Sequence, residues 1–134
     1  MSAARAALKA SKQERHAEAL PELLKRMSPR INEGIYYLAT VDETELMALA
    51  GYAVGIVDIF REKEGLSVVL SEEIKPNVEI MAKEKIHGPF AWISLGVHSS
   101  LFEAGLLAKI ATALAERKIP ANAFSAYHHD HLFV

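Results

Sequence analysis

The chain has 134 residues, a formal net charge of -2, 51% hydrophobic and 24% charged residues, and no cysteine. Those values suit a soluble globular protein and offer nucleic acid no basic surface; without cysteine, disulfides and thiolate metal sites are excluded, leaving His, Asp and Glu as metal ligands. No apolar run approaches a membrane span and the N-terminus lacks the apolar core of a signal peptide, so the expectation is a cytoplasmic protein with neither membrane nor nucleic acid as partner.

Taken in order, Met1 to Leu20 is rich in Ala, Lys, Arg and Glu and reads as a helix with few large apolar residues to anchor it. Pro21 suits the first turn of a second helical piece in which Leu23, Leu24 and Met27 pack, until Ser28-Pro29 interrupts it. Ile35 to Val41 is a β-branched and aromatic strand, Asp42 to Leu49 a short crossover, and Ala53 to Phe60 a second strand. Arg61 to Gly65 is a charged turn that joins it, as a hairpin, to the alternating run Leu66 to Leu70. Ser71-Glu72-Glu73 enters a helix with Ile74, Val78, Met81 and Ala82 in one stripe, and His87-Gly88-Pro89 breaks the chain. Trp92, Tyr36 and Tyr37 fall within strands, where packing is the default reading.

The stretch from Phe90 to Val134 holds most of the signals. Phe90 to Val97 alternates, with Ala91, Ile93, Leu95 and Val97 on one face; a loop from His98 to Ala104 leads to a helix opened by Gly105, with Leu106, Ile110, Ala113 and Leu114 as its buried stripe. Pro120 ends that helix, and Ala121 to Tyr127 and His131 to Val134 supply two more strands.

Gly105 to Glu116, GLLAKIATALAE, resembles the glycine-leucine helix start of ACT domains, small ferredoxin-like modules that bind amino acids and regulate metabolic enzymes. Val97-His98-Ser99-Ser100-Leu101 and His129 to Val134 narrow the resemblance to stand-alone ACT-like proteins, mostly uncharacterised and distantly similar to the arginine sensors called CASTOR. It covers roughly residues 23 to 134 and implies a binding module without naming its ligand. The expected fold is α+β, two ferredoxin-like βαββ pseudo-repeats with mostly antiparallel sheet. Residues 1–22 form an N-terminal helical extension, 23–88 a first ACT-like half, and 89–134 a second half lacking its final helix. Either that covering helix is absent or the N-terminal helix replaces it; a bare sheet face would be a dimerisation surface, and a homodimer through the second half is the expectation.

In such a unit the first strand runs antiparallel to the third, so His98, Ser99 and Ser100 face His129, Asp130 and His131 across the mouth between strand end and helix start, where ACT domains hold an amino acid. A ligand carboxylate is favoured at a helix N-terminus, Asp130 receives the ammonium, and Gly105 lets the ligand approach the backbone. The segment His98 to Ala104 replaces the Asp-x-Pro of most ACT domains, so the family's ligand identities do not transfer. Blander readings stand beside this one: Ser100 and Glu103 also form a capping box, Gly105 also serves backbone geometry, and alternation puts His129 and His131 on one face with His128 and Asp130 on the other. No phosphate loop, nucleophile elbow or cysteine nucleophile is present, so no catalytic or metal-binding residues and no cofactor are assigned. The reading is a non-enzymatic regulatory module binding an amino acid or similar small zwitterion. The alternatives are an assembly module without a small-molecule site and, behind it, a metal-dependent enzyme using His98, His129 and His131.

Overall fold

The computed structural model describes residues 2–5, 20–96 and 105–134. Its elements run α1 (Leu20–Met27), β1 (Pro29–Ile31), β2 (Tyr36–Val41), a 3-10 turn (Glu43–Glu45), α2 (Leu46–Ala50), a 3-10 turn (Ala53–Gly55), β3 (Ile56–Glu62) and β4 (Gly65–Ser71). A 3-10 turn (Glu72–Ile74), α3 (Lys75–Met81), β5 (His87–Phe90), β6 (Trp92–Leu95), α4 (Leu106–Glu116), β7 (Asn122–Ser125) and β8 (Asp130–Phe133) complete them. The chain divides into two compact units, one continuous (Asn32–Trp92) and one assembled from Met1–Ile31 and Ile93–Val134.

The continuous unit is a complete split βαββαβ. Its sheet is ordered β3-β4-β2-β5, so the first and third strands lie at the centre and every pairing is antiparallel. Alternation sends Ala39 and Val41 of β2 and Leu66, Val68 and Leu70 of β4 to the face where Leu49 of α2 and Val78 of α3 close the core. At the β3–β4 hairpin Gly65 has φ +144, and a Cβ there would stand 2.4 Å from the Val41 carbonyl oxygen, so the turn is closed to any side chain.

The discontinuous unit has the same plan in a permuted order. Its sheet is β1-β6-β8-β7, with β1 antiparallel to β6 in the register Pro29–Leu95, Arg30–Ser94, Ile31–Ile93. Within this unit β6, α4, β7 and β8 are the first strand, first helix and hairpin of the ferredoxin-like pattern, and α1 with β1 supply the second helix and fourth strand from the other end of the chain. Met27, at 0% exposure, joins Leu95, Leu106, Ile110 and Leu132 in one core, with Ile93, Leu107, Leu114 and Val134 packed against it.

Of the two alternatives for the last helix of the second half, absence or replacement by an N-terminal one, the burial of Met27 among Leu95, Leu106, Ile110 and Leu132 favours replacement, by α1. One expectation is corrected: a single strand does not span Phe90 to Val97. His87–Phe90 pairs with β2 in the continuous unit, whereas Trp92–Leu95 pairs with β1 in the other. Alternation runs on through Ala91, so periodicity gave no sign that the ladder partner changes there. The contact division also cuts the chain elsewhere than the expected sequential boundaries at 22 and 88, because β1 pairs with a strand more than sixty positions away, Ile31 facing Ile93.

Candidate functional site

The end of β6 and the beginning of β8 lie together: Ser94 Oγ and His131 Nδ1 are 2.9 Å apart on adjacent strands. From β6 the chain passes through residues 96–105 into α4, whose first turn closes with the Lys109 amide donating to the Gly105 carbonyl at 3.1 Å, Gly105 itself lying at φ +92. Leu106, the first residue of α4, shares a core with Leu132 of β8. Asp130 stands two positions before Leu132 and is half-buried, so alternation sets it on the sheet face that α4 covers, toward the start of that helix. The first amides of a helix have no intrahelical acceptor, and together with the macrodipole they favour an anionic group at this end.

The remaining motif residues distribute differently. His131, opposite Phe124 in the β7–β8 register, takes the other face of the sheet and is occupied with Ser94, which is only 6% exposed. His129 closes the β7–β8 turn by accepting, at its carbonyl, the Ala126 amide at 3.0 Å; its half-buried ring lies 6.3 Å from that of His128, which in turn stands edge-on to exposed Tyr127 at 4.8 Å. Gly105 and Asp130 thus share the helix layer, while His131 faces away from it. His98, Ser99 and Ser100, with Glu103 of the capping box and the whole expected loop from His98 to Ala104, lie outside the described residues. Among the described residues no three His, Asp or Glu side chains are placed to hold a metal ion.

The equivalent corner of the continuous unit is short. There a single residue, Asp42, separates β2 from the following 3-10 turn, and its Oδ1 accepts the Thr44 amide at 3.0 Å and the Thr44 hydroxyl at 2.8 Å. Those two bonds, the amide first, hold the Asp42 carboxyl below the usual carboxylate range. Asp42 thus caps its own turn through Oδ1. The open groove of the same unit, lined by Leu46, Met47, Ala50, Ala53, Ile56 and Ile59, has an apolar floor without the polar groups an amino acid backbone requires.

Sequence reasoning missed two residues near the first corner, Ser94 and Ser28. The signal for Ser94 was present, a lone hydroxyl in the apolar strand Ala91-Trp92-Ile93-Ser94-Leu95. Ser28 gave no such sign, and Met27, expected to pack, gave none of its partners, since only the permuted topology brings the two residues to β6 and α4.

Two models of the ACT domain match the chain, one over residues 17–74 and one over residues 88–134. Among solved structures, a Vibrio cholerae protein of unknown function, described as a possible transport protein, is similar at 41% identity with a TM-score of 0.65, over 86% of this chain and 82% of that one. No curated protein matches. No helix among the described residues is long and apolar enough to cross a membrane. With two ACT-domain matches, a complete ferredoxin-like unit, a permuted second one, and this relative over most of both chains, the chain belongs to the ACT-domain family.

Proposed function

We propose that this is a non-enzymatic regulatory module that binds an amino acid, or a small zwitterion like one, where β6 ends and α4 begins in the discontinuous unit. One observation carries the reading: the two units share a plan, yet in one a single residue, Asp42, links the first strand to the following turn, whereas in the other ten sequence positions, 96–105, separate β6 from α4. The ligand carboxylate is received by the α4 amides and its ammonium by Asp130, with His98, Ser99, Ser100 and His129 as further candidate contacts and Gly105 leaving the backbone open. His131 supports the site from behind through Ser94 rather than from within it. The protein acts in the cytoplasm, and assembly as a homodimer belongs to the same reading.

A thermal-shift screen of full-length protein against each of the twenty amino acids tests this. At a concentration of about one hundred times Kd a ligand stabilises the folded state by roughly 2.7 kcal/mol, enough to move the melting temperature by several degrees. Asp130→Asn should abolish the shift while leaving the unliganded melting temperature nearly unchanged. A flat screen at millimolar concentrations ends the ligand-binding reading and favours the assembly module.

A further inference from the structure

The end of β6 and the start of α4 are each in contact with one of two consecutive residues. The Gly96 amide donates to the Ser28 carbonyl at 3.1 Å, an approach so close that a Cβ on residue 96 would stand 2.8 Å from that oxygen. At the start of α4 Leu106 packs in one core with Met27, whose side chain is wholly buried. Met27 and Ser28 form the joint between α1 and β1, and Ser28 occupies φ +45, a left-handed conformation that a serine adopts at a cost. Beyond the joint, β1 has three residues, all exposed, and is an edge strand of its sheet. A helix of eight residues and an exposed edge strand of three belong to the least stable end of a fold and open first.

We propose that the α1–β1 joint is a positioning element for the end of β6 and the start of α4: Ser28 holds Gly96 and Met27 packs with Leu106, so docking of the strap formed by residues 20–31 and organisation of the α4 start stabilise each other. Met27 fixes where α4 begins in the core, and Ser28 fixes where the chain leaves β6. Because coupling is reciprocal, whatever orders the corner also protects the strap, and loosening the strap loosens the corner. Where the ligand reading above holds, the same coupling turns occupancy of the site into a change at the N-terminal end of the chain.

Hydrogen exchange on full-length protein tests the coupling without any ligand. Ser28→Asn keeps the carbonyl and tolerates the left-handed conformation better, so amides of residues 20–31 and of 105–109 should gain protection together, by about twofold or more. Gly96→Ala forces Cβ against the Ser28 oxygen and should lower protection in both stretches by about tenfold or more, with residues 122–125 reporting whether the unit stays folded. A change confined to 20–31 in either variant overturns the proposal, and if Gly96→Ala unfolds the unit, Ser28→Asn alone decides. A second arm uses the amino acid that gives the largest thermal shift as probe. It should raise protection of 20–31 in the wild-type chain and bind Gly96→Ala about tenfold more weakly. Binding that leaves 20–31 unchanged overturns the coupling, whereas absence of binding by every amino acid overturns the ligand reading alone and leaves the first arm to decide.

Discussion

Truncating Met27 to alanine tests whether α1 is a structural part of the discontinuous unit. The side chain has 0% exposure and sits among Leu95, Leu106, Ile110 and Leu132, contributed by β6, α4 and β8. Removing Cγ, Sδ and Cε from such a site loses their transfer free energy and leaves a cavity, which together cost about 2–5 kcal/mol for Met→Ala. Alanine is a slightly better helix former at the end of α1, an offset of a few tenths at most, so a loss of about 3 kcal/mol is expected. The sole tryptophan, Trp92, opens β6 at the boundary of the units and lies edge-on to Tyr36 of the continuous one, so its fluorescence does not report the discontinuous unit alone; urea unfolding should be followed by amide signals of β7 and β8. Met47→Ala is the control, since Met47 is 83% exposed and its truncation should stay within about 0.5 kcal/mol. A Met27→Ala loss below about 1 kcal/mol would refute the claim that α1 closes this core.

Other outcomes follow from single residues. Gly65→Ala should destabilise the continuous unit by more than about 1 kcal/mol, because the new Cβ meets the Val41 carbonyl and the backbone must leave φ +144; urea unfolding of the variant checks it. Tyr36 donates its hydroxyl to the Glu33 carbonyl at 2.6 Å and lies edge-on to Trp92, and burial first, then the charges of Glu73 and Glu33, raise its pKa. Its folded-state pKa exceeds the unfolded one, so the associated stability is fully present below about pH 10 and is lost as pH rises through the folded value. Tyr36→Phe should remove that alkaline loss, and spectrophotometric titration of the tyrosines should show one fewer late-ionising group.

Much of the fold was legible because local signals and tertiary roles agreed. Gly65 sits at the hairpin where turn chemistry called for it, Leu106 and Ile110 are buried as the helical stripe required, and Leu95 and Leu132 occupy the inward positions of their strands. What failed was pairing. His87-Gly88-Pro89 has the composition of a break, yet backbone pairing with β2 makes it an edge strand. Nothing in Pro29-Arg30-Ile31 announces a partner near Leu95, since a three-residue edge strand carries no periodicity. At the site, sequence brought the β6 end and β8 start together correctly, and alternation separated Asp130 from His131 as expected. It had no means of showing that the hydroxyl beside His131 is Ser94.

The two ACT-domain matches follow contiguous sequence, 17–74 and 88–134, and the first of them includes α1 and β1, which pack with the second unit. Fragments cut at those boundaries would therefore divide one core between two pieces. The continuous unit contains all four of its strands and both of its helices, and its buried residues from Ala39 to Val78 lie within it, so a fragment of residues 32–92 should fold alone. Its stability would be modest, as a domain of about 60 residues buries only about 60% of its unfolded surface. Residues 93–134 lack the fourth strand and the helix that bears Met27, leaving Leu95, Leu106, Ile110 and Leu132 without their cover. That fragment should be unfolded or aggregated on its own and should gain amide dispersion when a peptide of residues 20–31 is added. Independent folding of 93–134, with native-like dispersion and no response to the peptide, would mean that the N-terminal strap is an ornament of the unit and not the piece that completes it.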